Sequence, residues 1–220
     1  MEGMSNGCFH SPYPYALKHN PFAYYGSSCP SEVVPFTQFA ADMSGTVPRF
    51  AWITPDLCHD GHDCTNAIAD TWLAQTVPTI LASNAWKDNG VLIITWDEGE
   101  DSANSVLTLV VQPNPGALRS ARSYNHYSLL ATIEDKLGVA RLGLAAQATP
   151  MTDLLPSSAT PKLRDRVARC PPDRLLPVRD RFEKLEVDID TKSRPAWHVE
   201  PAFAQHERLS DVTVVIAVRC

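Results

Sequence analysis

The apolar run Val-Leu-Ile-Ile-Thr-Trp at residues 91–96 restricts the fold of this chain more than any other segment, because two carboxylates, Asp97 and Glu98, follow it directly. A strand without polar alternation is covered on both faces, as in the sheets of α/β proteins. Ligands of such sheets collect beyond the carboxyl ends of the strands. The sequence therefore predicts a buried strand that delivers Asp97 and Glu98 to a site edge. A solvated acidic turn is the alternative, since residues 99–101 continue the polar stretch.

Composition limits the classes of protein to consider. The 220 residues suffice for one substantial core, or for a core with a small appendage. No apolar stretch approaches the ~18 residues of a membrane-spanning helix, and no signal segment opens the chain as written. The net charge is −6, and its negative excess lies in the first 156 residues. We therefore do not expect nucleic acid as a partner.

Six cysteines raise the question of disulfides or metal binding. Cys58 and Cys64 bracket a tight loop rich in His and Asp, and this spacing favours a small disulfide-closed loop. Zinc is the alternative, because the loop also holds histidines, although the spacing fits no common structural zinc pattern. Cys8 and Cys29 flank an aromatic, proline-rich segment as a second candidate pair. Disulfides would indicate an oxidising compartment.

Two helices and two further strands are predicted before residue 156. Short strands are expected over 50–54 and 106–111. Helical spacing runs over 70–81, with a bend or restart at Pro78. The clearest helix follows Asn125, a good N-cap, and ends at the helix stop Gly138.

The chain changes character beyond residue 157, where Arg and Pro are dense and only 212–218 resembles a strand. We therefore divide it into residues 1–156 and a tail, 157–220. An appendage, a poorly ordered segment and the translated product of a frameshifted gene all remain compatible with this composition.

Four motifs stand in a fixed order: KHNPF at 18–22, TPDLCHDGHD at 54–63, TWDEG at 95–99 and HYSLL at 126–130. With them the chain resembles the bacterial phosphoesterase family, which groups secreted acid phosphatases and phospholipase C-like enzymes within the alkaline-phosphatase-like superfamily. The resemblance implies an α/β fold with a mainly parallel central sheet. It also implies that a phosphate ester is the substrate.

The same resemblance implies a divalent metal, of unknown identity, held by Asp97 and Glu98. Its charge would stabilise the phosphoryl group during transfer. A structural calcium loop that also uses Asp101 is a further alternative, although the acidic residues lack the ligand alternation of an EF-hand.

Histidines in the motifs are the expected phosphate contacts. By the resemblance, His19 and His62 contact phosphate oxygens or protonate the leaving alkoxide, and His126, in the first turn of its helix, completes the polar wall. Asp60 is expected to orient His62. The alternatives are a surface role for His126 and a packed position in the aromatic loop for His19.

The first residues, Met1-Glu2-Gly3-Met4, resemble an internal stretch of the family. We therefore expect this chain to be the carboxyl-terminal half of the domain, with a Glu-Asn metal pair and the nucleophilic Ser or Thr upstream. An incomplete sheet would leave an exposed edge open to self-association. The full-length family is expected to be secreted or periplasmic.

The predicted function is metal-dependent hydrolysis of phosphate monoesters, as in acid phosphatases, incomplete in this chain. A phospholipase C-type phosphodiesterase and a non-catalytic remnant are the alternatives.

Overall fold

The computed structural model describes residues 1–99, 101–113 and 119–155, together with the backbone of 212–217. Short 3-10 turns join the larger elements. Within these ranges the helices are α1 (Gly7–His10), α2 (Phe39–Ser44), α3 (Asn66–Ala82), α4 (Asn84–Lys87) and α5 (His126–Leu137), and the strands are β1 (Phe50–Ile53), β2 (Val91–Trp96), β3 (Thr108–Val111) and β4 (Val212–Ala217). The protein is therefore of the mixed α/β type that the sequence predicts.

The strands form one sheet in the order β1-β4-β2-β3. Every hydrogen-bonded strand pair in the described sheet is antiparallel, so these strands do not form the mainly parallel sheet that we expected. The connection from β2 to β3 is too short for the crossover that a parallel neighbour requires. β4 in turn runs opposite to both of its neighbours.

Because β4 is antiparallel to both β1 and β2, those two strands run in the same direction. Ile53 of β1 and Ile94 of β2 both lie opposite Val214. Their carboxyl ends therefore meet at one edge of the sheet, separated by about 10 Å, or two strand spacings. The loops after β1 and β2 leave from this shared edge, as the sequence predicted for parallel strands. The outermost strands of the described sheet are β1 and β3. Self-association through the unpaired side of such a strand stays a prediction.

β2 is buried along its whole length, which confirms the prediction of a strand covered on both faces. Ile93 belongs to the core cluster that contains Leu129 of α5. Leu92 belongs to the opposite cluster with Trp72 and Ile80 of α3. The strand that ends at Asp97 is thus fixed between two layers of helix.

α5 begins and ends where the sequence predicts. The Asn125 side chain accepts hydrogen bonds from the N–H groups of Tyr127 and Ser128 in a capping box, and Gly138 closes the helix with a φ of 69°. α3 differs from the prediction, because it starts at Asn66 and continues through Pro78 without a restart. Val77 and Ile80, on either side of Pro78, are buried in the core cluster that contains Leu92 of β2.

Both predicted disulfides, Cys8–Cys29 and Cys58–Cys64, are present. Cys58 and Cys64 are paired with each other, so the structure contradicts the zinc alternative for the 58–64 loop. The strand predicted near the end of the chain corresponds to β4, while the rest of the 157–220 tail lies outside the described residues. In the described ranges, no helix has the length and apolar character needed to cross a membrane.

Candidate functional site

A histidine cluster lies in the loop that follows β1. Asp60 is fully buried there. Its Oδ1 accepts a hydrogen bond of 2.8 Å from the backbone N–H of His62, and its Oδ2 lies 3.2 Å from Nδ1 of His19. The two imidazole rings have centroids 6.1 Å apart. The structure thus brings together three of the predicted site residues from two separate motifs.

The His62 ring has partners that the sequence analysis did not identify. Its Nδ1 lies 2.7 Å from Oδ1 of Asp63, and its Nε2 lies 3.4 Å from Nζ of Lys18. We expected Asp60 to orient His62, but Asp60 holds the backbone of His62 and faces the ring of His19. Asp63 is the carboxylate at the His62 ring. The sequence signal that could have identified these two partners is their place in the motifs, since Lys18 begins KHNPF and Asp63 ends TPDLCHDGHD.

The loop that carries this cluster is tied to the surrounding chain at several points. Thr54, at the end of β1, donates its hydroxyl to the carbonyl of His19 at 3.2 Å. The N–H of Leu57 donates to the carbonyl of Pro14 at 3.1 Å. The 58–64 disulfide then closes the loop on itself. The positions of both histidines therefore depend on bonds from the end of β1 and from the aromatic segment.

Asn20, next to His19, is a buried anchor for that aromatic segment. Its Nδ2 donates a hydrogen bond of 3.0 Å to the Tyr15 hydroxyl. Burial raises the pKa of Tyr15 above its usual value, so this hydroxyl stays neutral at physiological pH. The pair fixes the backbone beside His19.

Glu2 anchors the start of the loop and was missed as a site-supporting residue. Its Oε1 accepts from the Trp72 indole N–H at 2.8 Å. Its Oε2 accepts from the backbone N–H of Asp56 at 3.0 Å and lies 3.0 Å from Nδ1 of His59. Among the described residues, Glu2, Asp56 and His59 are the only group of three or more His, Cys, Asp or Glu whose ligand atoms lie within 4.8 Å of one another. Hydrogen bonds account for this arrangement.

The second part of the site lies at the end of β2. Asp97 and Glu98 are exposed there. The His126 ring donates from Nε2 to the backbone carbonyl of Asp97 at 2.8 Å. The structure thus brings Asp97 and His126 together, but this bond uses His126 to hold the strand end, whereas we expected the ring to face a phosphate.

The loop beyond Glu98 is held by its own residues. Asn104 Oδ1 accepts from the Gly99 N–H at 2.7 Å, and Asp101 Oδ1 accepts from the Ser105 N–H at 2.8 Å. The hydrogen bonds from Ser105 lower the pKa of Asp101. That carboxylate therefore already serves the turn, which speaks against its role in a calcium loop.

Carboxylate oxygens suit divalent cations such as magnesium, calcium and manganese. The donor chemistry of Asp97 and Glu98 therefore fits the expected metal. Within the described ranges, however, neither belongs to a group of three His, Cys, Asp or Glu ligands. The pair supplies part of a coordination shell.

Imidazoles and carboxylates at one edge of an α/β sheet define a class of site that can transfer protons and bind cations. The sequence model of the phosphoesterase family matches residues 11–140, more than half of the chain, and the chain belongs to this family.

Three similar proteins are phosphatases by name. The phosphatidylinositol-3-phosphatase of Mycobacterium tuberculosis is 30% identical over 64% of this chain and 47% of its own length. The phosphate-repressible acid phosphatase of Penicillium chrysogenum is 27% identical over 60% of this chain and 35% of its own. A probable acid phosphatase of Kluyveromyces lactis is 27% identical over 59% and 34%, respectively. This chain thus spans less than half the length of these relatives. No solved structure matches it significantly.

Proposed function

We propose that this chain hydrolyses phosphate monoesters and that the histidine cluster contacts the phosphate. The supporting observation is the convergence of His19, Asp60 and His62 at the sheet edge that also carries Asp97. Membership of the phosphoesterase family supports the same reaction class. Because the relatives named above are phosphatases, a monoester is favoured over the diester that a phospholipase C-type enzyme would cleave.

The two histidines have distinct tasks in this proposal. His62 is the more exposed ring, with a relative side-chain exposure of 45%, and Asp63 holds its Nδ1 side. Its Nε2 side can take a proton from water and pass it to the leaving oxygen. His19, at 10% exposure, lies deeper and against the buried Asp60 carboxylate. That carboxylate offsets a positive charge on the His19 ring when the ring contacts a phosphate oxygen.

Asp97 and Glu98 are the residues that would hold a divalent cation. When bound there, the ion supplies positive charge that stabilises the phosphoryl group. His126 positions the Asp97 backbone through its hydrogen bond. The nucleophile stays unassigned.

The two disulfides suit an oxidising compartment, and we include a secreted or periplasmic location in the proposal. They lie on the two segments that frame the histidine cluster. Reduction would therefore loosen the proposed phosphate site itself.

Turnover by the full chain tests the proposed function. An aryl phosphate monoester and the matching diester are offered separately, with magnesium, manganese, calcium or zinc, or with a chelator. We expect monoester hydrolysis to exceed diester hydrolysis, with a cation-dependent part that is lost in the Asp97→Asn/Glu98→Gln double variant. Lys87→Met, an exposed change on α4, is the matched control.

Absence of turnover with every cation, together with absence of orthophosphate binding, would contradict the proposal and support a non-catalytic remnant. Preference for the diester would instead support the phosphodiesterase alternative.

A further inference from the structure

Lys18 is an exposed residue that neither the predicted roles nor the proposed reaction uses. It lies on the 3-10 helix Leu17–His19, directly before His19. Its Nζ is 3.4 Å from Nε2 of His62, 44 positions further along the chain. The ammonium of the first motif therefore lies against the histidine of the second, on the exposed side of the cluster.

The chemistry of this contact determines where the His62 ring carries its proton. A lysine ammonium has three N–H donors and no acceptor. His62 Nε2 must therefore accept the hydrogen bond through its lone pair. The ring proton then resides on Nδ1, where it donates to Asp63 Oδ1 at 2.7 Å. Both contacts are satisfied by a neutral ring with this one tautomer.

This tautomer has a consequence for an arriving phosphate. A lone pair on Nε2 offers no donor to a phosphate oxygen, whereas the Lys18 ammonium keeps two further N–H donors. Asp60 and Asp63 are carboxylates in the same cluster, and they would repel an anion. The ammonium of Lys18 offsets that repulsion from the exposed side of the cluster.

We propose that Lys18 is a phosphate-binding residue, whose ammonium donates to a phosphate oxygen beside His62 and makes this end of the site selective for anions. This inference rests on the proposed function for its ligand, the phosphate group of an ester or free orthophosphate. It adds to that function a cation supplied by the chain itself, separate from any metal at Asp97 and Glu98.

Calorimetric titration of the full chain with orthophosphate, in the presence of a chelator, tests the proposal. We expect Lys18→Met to weaken phosphate binding about tenfold, the scale on which the loss of one charge-assisted hydrogen bond is measured. Lys18→Arg keeps the charge and should recover most of the affinity. Lys87→Met removes an exposed lysine elsewhere and should leave the affinity unchanged.

The imidazole nitrogen spectrum of the unliganded protein gives a second readout that is independent of turnover. We expect His62 Nε2 to be the unprotonated nitrogen in the wild type and to lose this strict preference in Lys18→Met. A protonated Nε2 in the wild type would overturn the inference, as would equal phosphate affinities of wild type and Lys18→Met. Phosphate binding that depends on Lys18 without any ester turnover would uphold the inference while the proposed hydrolysis fails.

Discussion

The loop after β1 and the loop after β2 leave the same edge of one sheet but are held in different ways. The first carries a fully buried carboxylate, Asp60, which bonds a neighbouring backbone and faces the ring of His19. A disulfide closes this loop. The second loop presents exposed carboxylates, and the contact from His126 reaches the backbone of Asp97.

This difference separates two kinds of chemistry within one site. A phosphate contact is favoured by groups held in place before the ligand arrives, because preorganised groups cost no rearrangement during reaction. A metal position can rest on flexible carboxylates, since the ion itself draws them together. We therefore infer that the β1 side is preformed and that the β2 side is completed by a ligand.

The two disulfides offer the largest expected effects and the sharpest test of the comparison. By loop length, replacing the Cys8–Cys29 pair with serines should cost about 3 kcal/mol, and replacing the Cys58–Cys64 pair about 2 kcal/mol. Orthophosphate affinity should fall more when the Cys58–Cys64 pair is replaced than when the Cys8–Cys29 pair is replaced, because the 58–64 loop carries His62. Denaturant unfolding and phosphate titration measure the two quantities. A matching rank in both would indicate that binding only follows global stability.

Asp60 and Asp97 form the next contrast. Asp60→Ala removes a buried acceptor and should destabilise the protein by roughly 2 kcal/mol, because the N–H of His62 then loses its partner. Asp97→Ala removes an exposed side chain and should change stability by less than about 0.5 kcal/mol. Denaturant unfolding of both variants gives the comparison. Equal losses would show that the β2 side is as firmly built as the β1 side.

Glu134 should give the smallest effect on stability, and that effect should depend on pH. The residue lies on α5, outside the loops after β1 and β2. It is 1% exposed on α5, and its Oε1 accepts a hydrogen bond from the Leu142 N–H. Burial raises its pKa in the folded protein. The folded state therefore binds the Glu134 proton more tightly than the unfolded state does. The stability that this proton contributes is present at low pH and is lost as the pH rises through the raised pKa of the folded state.

Glu134→Gln keeps the acceptor for Leu142 and removes the buried charge. We expect a gain of about 1 kcal/mol at pH 7, a smaller gain near pH 4.5, and unchanged phosphate affinity. Thermal unfolding across this pH range measures the gain. A loss of phosphate affinity would mean that α5, through His126, controls the β1 side as well.

Much of this structure could be predicted from local patterns in the sequence. The unbroken apolar run predicted β2, and Asn125 with Gly138 predicted the limits of α5, because strand burial and helix capping depend on neighbouring residues. The close spacing of Cys58 and Cys64 likewise predicted their disulfide. Each of these signals lies within a few residues of the feature that it specifies.

Contacts between distant segments were not predictable in the same way. The place of β4 between β1 and β2 depends on pairing with a segment more than a hundred positions away. The exchange of partners, with Asp63 at the His62 ring and Asp60 at His19, depends on how the loop folds in three dimensions. The contact between Lys18 and His62 joins positions 44 apart, and the hydrogen bonds of Thr54 and Leu57 tie the same two segments together.

The most direct test of the preformed phosphate site is an orthophosphate titration of the full chain, without metal, followed through the imidazole resonances of its histidines. The account predicts that phosphate shifts the His19 and His62 signals together, with a single affinity, and leaves His126 nearly unchanged. A dominant shift at His126, or no shift at His19 and His62 at saturating phosphate, would contradict it.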